Sequence, residues 1–106
     1  MTYQTYEVRV YPDGDKEWYQ NNQRHCEHGP SIECSNGAKY WHIKGKLHRL
    51  DGPACEYGND AKEWYLHGQR NREDGPAVEY ADGTKRWFIR GEELTEKEFN
   101  KLMVAL

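Results

Sequence analysis

Residues Glu63 to Lys85 read EWYLHGQRNREDGPAVEYADGTK, and copies of this stretch recur along the chain every 23 residues. The period is clearest in the tryptophans, at Trp18, Trp41, Trp64 and Trp87. A Gly-Pro pair keeps the same interval, at Gly29-Pro30, Gly52-Pro53 and Gly75-Pro76. Self-similarity at a fixed period of this length is the signature of a repeat architecture. The sequence therefore predicts about three and a half copies of one unit between residues 12 and 91.

Each unit carries the signals of a β-hairpin. Pairs such as Asp82-Gly83 predict a type I′ turn, in which both central residues have positive φ. A second glycine turn, Lys44-Gly45 in one unit, also predicts positive φ. Between the turns an aromatic and an aliphatic residue stand two apart, as in Trp64 and Leu66, so they share one strand face. We expect that face to form the core.

The predicted fold is mainly β: a single domain over residues 1–106, built as an open antiparallel meander of repeated hairpins. Residues 1–11 form an N-terminal strand, and residues 95–106 form a helix. A capping box at Thr95 and Glu98 starts that helix. Its apolar stripe is expected to cover the open end of the repeat stack, and consists of Phe99, Leu102, Met103 and Leu106.

Composition narrows the class of protein. Aliphatic residues are few, and four Trp and eight Tyr supply most of the apolar bulk. A net charge of -3 gives no basic field for a phosphate backbone, so we expect no nucleic acid partner. We expect neither a membrane-spanning helix nor a signal peptide, because the sequence shows no long apolar stretch and no basic, apolar leader pattern. Three cysteines make no disulfide framework, and together these features predict a soluble cytoplasmic protein.

The densest reactive cluster contains residue types that bind zinc, at His25, Cys26, His28 and Cys34. Their spacing lacks the paired pattern of known zinc sites, and Cys34 and Cys55 stand where other units have core residues. Catalysis needs a unique convergence of groups, whereas this sequence repeats similar side chains at intervals. We therefore predict no metal, no cofactor and no enzymatic activity, with a zinc-binding protein as a less favoured alternative.

Other recurring polar residues are expected to have structural roles. A row of His25, His48 and Asn71 has the spacing either to form a pH-sensitive face or to hydrogen-bond neighbouring turns, and we favour the turns. Arg49 with Asp51, and its copy one unit later, predicts a local ion pair or Asx-turn. Opposite charges are expected on neighbouring strands, in the rows Glu33/Glu56/Glu79 and Lys39/Lys62/Lys85.

From Val8 to Gly91 the unit resembles the MORN repeat, whose units are consecutive β-hairpins. The matching residues are Gly45-Lys46-Leu47-His48, Gly52, Tyr57 and Tyr80. The chain departs from that pattern in Arg49-Leu50-Asp51 and in the prolines Pro53 and Pro76. The string His-Arg-x-Asp-Gly-Pro-Ala and the closing segment Gly91 to Phe99 are similar to repeats in uncharacterised bacteriophage and large DNA virus proteins. The resemblance implies a scaffold or binding surface for proteins or for membrane lipid.

We therefore predict a non-enzymatic protein-binding module. Its candidate contact row follows the tryptophans by one residue, on the opposite strand face, where aromatic anchors favour binding: Tyr19, His42, Tyr65 and Phe88. Alternatively, the helix or a second layer covers this row.

The viral resemblance implies a phage-encoded inhibitor that occludes a host defence protein or nuclease in the host cytoplasm. A MORN-type module on a membrane-lipid surface is the alternative, although no basic cluster supports it. An unpaired edge strand at Tyr3 to Val10 would also allow a homodimer, because such edges invite pairing.

Overall fold

The computed structural model describes residues 5–105, so the predictions for Tyr3 and Leu106 lie outside the described residues. Within this range the chain forms fourteen strands and one helix, α1 (Glu96–Ala105). The longer strands are β1 (Glu7–Val10), β2 (Lys16–Gln20), β13 (Lys85–Ile89) and β14 (Glu92–Leu94). The remaining strands have two residues each: β3 (Gln23–Arg24), β4 (Ile32–Glu33), β5 (Lys39–Tyr40), β6 (His42–Ile43), β7 (Lys46–Leu47), β8 (Cys55–Glu56), β9 (Lys62–Glu63), β10 (Tyr65–Leu66), β11 (Gln69–Arg70) and β12 (Val78–Glu79).

The strands form a large antiparallel sheet that follows the order of the chain. Its order is β1-β2-β4-β5-β8-β9-β12-β13-β14, with β3 paired to β2. Two short hairpins, β6–β7 and β10–β11, stand outside this sheet. The molecule is a slab with extents of 45 × 37 × 17 Å. The predicted fold class, mainly β with hairpin-linked antiparallel strands and a C-terminal helix, is confirmed.

The sequence predicted continuous strands through each tryptophan, and the inner units differ from this. β13 runs unbroken through Trp87, but in the two inner units the main-sheet strand ends just before Trp41 or Trp64. The next two residues then pair only with their own return strand, as Tyr65 does with Arg70. The tryptophan is therefore a corner between the main sheet and a small hairpin.

The prediction of type I′ turns at the Asp-Gly and Asn-Gly pairs was wrong. Each of these loops has three residues, because Tyr80 N donates to Thr84 O across the loop at 2.9 Å. Only the third loop residue has positive φ: Gly14, Gly37, Asp60 and Gly83. The residue before it accepts a hydrogen bond from the amide two positions on, as Asp82 does from Thr84 at 2.8 Å. This side-chain bond stabilises an Asx-turn, which needs no positive φ at the aspartate.

The pairs of positive φ occur instead at the second turn of each unit. Lys44 and Gly45 have φ of 50° and 81°, and the next two copies nearly the same values. The row that we expected to bond neighbouring turns does so here. His25 Nδ1 accepts from Lys44 N at 2.8 Å, and His48 and Asn71 repeat the bond one and two units later. These residues tie each unit to the turn of the next.

Oppositely charged residues face each other across the main sheet, as predicted. Glu33 lies opposite both Lys16 and Lys39, and Glu56 lies opposite both Lys39 and Lys62. The ladder continues through Glu79, which lies opposite both Lys62 and Lys85 on β13. Such cross-strand pairs each contribute roughly 0.2–1 kcal/mol. Because a slip by one residue would break every pair, the ladder helps fix the strand register.

The core lies between units, and small residues dominate it. Ala54 and Ala77 have no exposed surface, while Val78 and Cys55 are exposed by only 1% and 2%. Ala77 and Val78 form one cluster with Phe88, and Trp64 packs against it while partly buried. All four tryptophans remain partly exposed. The tryptophan face, which we expect to form the core, is thus only partly buried, and at Trp41 and Trp64 it borders open grooves.

Helix α1 starts where the sequence predicted. Thr95 Oγ1 accepts from Glu98 N at 3.1 Å, and Glu98 Oε1 accepts from Thr95 N at 3.0 Å, which completes the capping box. The helix contacts β13 and β14 at the end of the sheet. Phe99 is buried there, whereas Leu102 keeps 41% of its surface exposed. No helix within residues 5–105 has the length and apolar character to cross a bilayer.

Candidate functional site: two equivalent tryptophan grooves

Two grooves of the same construction lie side by side on the slab. Groove I is lined by residues 26–30, Trp41, Ile43 and residues 48–51. Groove II is lined by residues 49–53, Trp64, Leu66 and residues 71–74. Every lining residue of groove II lies 23 positions after a lining residue of groove I. The repeat therefore builds the same concave surface twice.

An arginine packed on the tryptophan shapes one wall of each groove. The Arg49 guanidinium carbon lies 3.9 Å from the centre of the Trp41 ring, and the Arg72 carbon lies 3.8 Å from that of Trp64. Arg49 also donates to Asp51 Oδ1 at 3.1 Å and to Pro53 O at 3.0 Å. Arg72 repeats these bonds one unit later. The predicted Arg–Asp ion pairs are thus present, and each fixed arginine holds its loop in place.

The glycine of the Asp-Gly-Pro loop makes room for that arginine. A Cβ at Gly52 would lie 2.9 Å from Arg49 Cζ, and one at Gly75 would lie 3.0 Å from Arg72 Cζ. At Gly29, where Cys26 replaces the arginine, a Cβ would meet nothing within 4 Å. The first unit therefore has no arginine that packs on its tryptophan in this way. Groove I is bordered on that side by Cys26 and His28 instead of an Arg–Asp pair.

Leu50 stands on the ridge that the two grooves share. It lines both grooves, and 83% of its surface is exposed. The other units have Glu27 and Glu73 at this position. At this exposure the leucine side chain stays in contact with water, so it contributes little hydrophobic stabilisation to the fold. Leu50 is therefore an apolar side chain that borders both grooves and faces solvent.

The charge that the grooves offer to solvent is acidic. Each arginine is already bonded to an aspartate, a backbone carbonyl and a glutamate, and its side chain is exposed by only 22% or 21%. The carboxylates are far more accessible, because the side chains of Asp51 and Asp74 are exposed by 88% and 86%. A ligand approaching either groove meets carboxylates at the rim and apolar rings on the floor.

The predicted contact row does not form an exposed surface. Tyr19 and Tyr65 are partly exposed, but His42 and Phe88 keep only 9% and 6% of their surface. The premise of exposure was therefore wrong for these two residues. The backbone of the preceding unit crosses this row and donates to its carbonyls. Arg49 N bonds to Tyr65 O at 3.1 Å, and the same bond recurs at His42 and Phe88.

One member of this row makes a buried polar contact. His42 Nδ1 lies 2.6 Å from Ser31 Oγ, which also donates to Tyr40 O at 3.0 Å. Because Ser31 has one proton to give, a neutral His42 protonated at Nδ1 completes both bonds. Burial, and secondarily the Arg24 charge, lower the pKa of His42 to about 4. The histidine is therefore neutral and structural at physiological pH.

The four zinc-type residues do not gather around one point. The buried His25 ring is held by Lys44 N through Nδ1, and its Nε2 lies 3.2 Å from Glu27 Oε1. Cys34 lies in a different surface depression from Cys26 and His28. Within the described residues no three His, Cys, Asp or Glu side chains are placed to hold a metal ion.

The remaining cysteine, Cys55, has an unreactive thiol. Cys55 is exposed by only 2%, and burial together with the nearby Glu63 raises the pKa of its thiol to about 12. A thiol of this kind stays protonated and is a poor nucleophile at neutral pH. Cys26 and Cys34 are both partly exposed, although Cys34 stands where other units have core residues.

Sequence reasoning missed the Arg–Trp wall and Leu50. The recurrence of Arg49 and Arg72 predicts only a local loop contact, since nothing local shows that a guanidinium folds back onto a ring eight positions earlier. A signal for Leu50 did exist. It is an aliphatic residue at a position where both neighbouring units have glutamate, Glu27 and Glu73.

Comparison with protein-family models, with curated proteins and with solved structures finds no match to this chain.

Proposed function

We propose that this chain is a non-enzymatic repeat module that binds an extended segment of a protein partner across grooves I and II. The observation that carries the proposal is the repetition of one concave surface at the repeat interval, with an exposed leucine on the ridge between the copies. Regularly spaced equivalent subsites suit a ligand that is itself extended. Repeat proteins commonly use their stacked units in this way.

The grooves favour a segment that combines apolar and basic side chains. The floors, Trp41 with Ile43 and Trp64 with Leu66, offer apolar surface to side chains of a strand-like ligand. The accessible rim carboxylates complement lysine or arginine, while the groove arginines already have partners. Electrostatic complementarity of this kind steers encounter and selects partners. The resemblance to repeats of viral proteins supports a host protein as the partner, with inhibition by occlusion as its consequence.

Site-specific photocrosslinking tests the position of the binding surface. A crosslinking amino acid replaces Leu50 in one variant and Val104 in the other. Both variants are irradiated in lysate of the host cells in which the proposed partner occurs. Val104 is a matched control because it is 88% exposed and lies on α1, away from the grooves. We expect one protein to crosslink through position 50 and not through position 104. Identical product patterns from the two positions would refute the proposed site.

The affinity of the captured protein provides the quantitative test. Leu50→Glu restores the residue type of the neighbouring units, so the fold should tolerate it. Because the change removes an anchor shared by both grooves, we expect the Kd to rise at least about tenfold, which corresponds to about 1.4 kcal/mol. Val104→Glu should leave the Kd unchanged. Equal affinity of the Leu50→Glu variant and the wild type, measured by titration calorimetry, would contradict the proposal.

A further inference from the structure

Strand β1 is the outermost strand of the main sheet. Among the described residues it pairs with β2 alone, so its other side has no strand beside it. Val8 and Val10 on this strand keep 48% and 65% of their surface exposed. We infer that β1 pairs antiparallel with β1 of a second copy of this chain, centred on Val8, to give a twofold symmetric dimer. This surface lies at the sheet edge and is separate from the proposed grooves.

The direction of the backbone groups supplies the hydrogen bonds for such a pair. Tyr11 N donates to Asp15 O, so its amide points toward the β2 side of the hairpin. Amides alternate along a strand, and those of Arg9 and Glu7 therefore point the same way, while those of Val8 and Val10 point outward. Trp18, which lies opposite Val8, sends its amide to Ser31 O and away from β1. Val8 is thus free to exchange two backbone bonds with Val8 of a second copy.

The charges on β1 select this register. Glu7 and Arg9 lie on one strand face, and their side chains form an ion pair at 3.0 Å within the chain. Pairing centred on Val8 places Glu7 opposite Arg9 of the second copy, and Arg9 opposite Glu7, which makes a network of four alternating charges. Pairing centred on Arg9 would place the two arginines against each other, where like charges are destabilising. Pairing centred on Val10 would bring Pro12, which has no amide, opposite the outward-facing Val8.

In this register each face of one sheet continues into the equivalent face of the other sheet. Directly opposite residues of an antiparallel pair point to the same side. The valines of both copies therefore line one face, and the charged residues line the other. The product is a continuous sheet twice as wide, and a twofold interface of this kind is self-complementary.

Charge reversal provides a test in which two defects should cancel. Glu7→Arg puts arginine opposite arginine in a homodimer, and Arg9→Glu puts glutamate opposite glutamate. We expect each variant alone to raise the dimer dissociation constant at least tenfold in analytical ultracentrifugation up to millimolar protein. An equimolar mixture should form a heterodimer, because every cross-strand pair is then opposite in charge. Near-ultraviolet circular dichroism of the tryptophans verifies that both variants are folded.

A second variant removes the backbone contact and spares the charges. Val8→Pro eliminates an outward amide and leaves the β1–β2 bonds in place, so it should give a folded monomer. Hydrogen exchange should also show slow amides at Val8 and Val10 that become fast on dilution to the monomer. Any one of three results would overturn the inference: a wild type that stays monomeric throughout, a dimer that survives Val8→Pro, or folded charge variants that fail to associate on mixing.

Discussion

At the scale of single residues, comparison between units explains His42. It occupies the position of Tyr65 and Phe88, and its partner Ser31 stands where the later units have Ala54 and Ala77. The buried serine and histidine thus replace an alanine beside an aromatic ring. Both positions therefore differ from those of the later units, and the two residues form a buried polar pair.

This pair should make stability depend on pH. The pKa of His42 falls from 6.5 to about 4 on folding, so the unfolded chain binds a proton in this interval that the folded chain does not. The contribution of neutral His42 to the free energy of unfolding is therefore fully present above pH 6.5. It is lost as the pH falls toward 4, which lowers the free energy of unfolding by up to about 3 kcal/mol. Urea unfolding at a series of pH values measures the slope.

The matched control for this prediction is the double variant Ser31→Ala with His42→Phe, which copies the Ala77/Phe88 pair. Carboxylates that titrate in both proteins cancel in the comparison. The double variant should lose the part of the slope that belongs to His42. Parallel stability curves for the two proteins across this pH interval would show that the histidine is not the cause.

Asp60 is a second residue that differs from its equivalents. Its φ of 71° lies in the left-handed region, where the three equivalent loops have glycine. Because an L side chain is disfavoured there, Asp60→Gly should raise the free energy of unfolding by roughly 0.5–1 kcal/mol. The reciprocal change Gly83→Asp should lower it by a similar amount, as measured by thermal unfolding. A loss of stability in Asp60→Gly would mean that the aspartate side chain has a contact of its own.

At the scale of the hairpin, one pair of positions is occupied by complementary charges in either order. Glu63 accepts from Arg70 Nε at 3.1 Å and Nη2 at 2.8 Å, across the short hairpin seven positions apart. In the last unit Arg86 and Glu93 take the same positions with the charges exchanged, at 2.8 and 2.9 Å. The tyrosine before each pair adapts, because Tyr57 OH donates to Glu63 whereas Tyr80 OH accepts from Arg86.

The exchange predicts the outcome of a double-mutant cycle. Glu63 is 9% exposed, so Glu63→Arg alone would place two cations together in a mostly buried site and cost about 3 kcal/mol. Arg70→Glu alone should be costly for the corresponding reason. The double variant copies the arrangement of Arg86 and Glu93 and should recover most of the loss, giving a favourable coupling of about 2 kcal/mol or more. Additive losses in urea unfolding would show that the pair is not the unit of stabilisation.

At the scale of the whole molecule, each unit contacts mainly its sequence neighbours. Hydrogen bonds that recur every 23 residues join the second turn of each unit to the preceding unit. Lys44-Gly45 and His67-Gly68 have nearly identical φ angles, so the same positive-φ turn recurs one unit apart. The stability of such arrays is approximately a sum over units and their interfaces. A chain with one unit fewer should therefore still fold.

Deletion of residues 45–67 removes one complete period and joins Lys44 directly to Gly68. We expect the shortened chain to fold, with a lower midpoint and a smaller urea m-value, because less surface is exposed on unfolding. Only one groove would then remain, between residues 26–30 and 71–74. Far-ultraviolet circular dichroism and urea unfolding measure the result. A shortened chain without a cooperative transition would show that the units depend on long-range contacts.

The amino-acid sequence by itself determined the period, the hairpins, the helix start at Thr95 and the facing rows of Lys and Glu, because each of these depends on signals within one unit or at one fixed interval. Only the tertiary structure decided which aromatic row is covered and where a surface remains open. The chain fold buries His42 and Phe88 but leaves Tyr65 partly exposed, and Arg49 packs on Trp41, where Gly52 leaves space for it. Strand alternation separates two faces, but the path of the chain between units determines which one meets solvent.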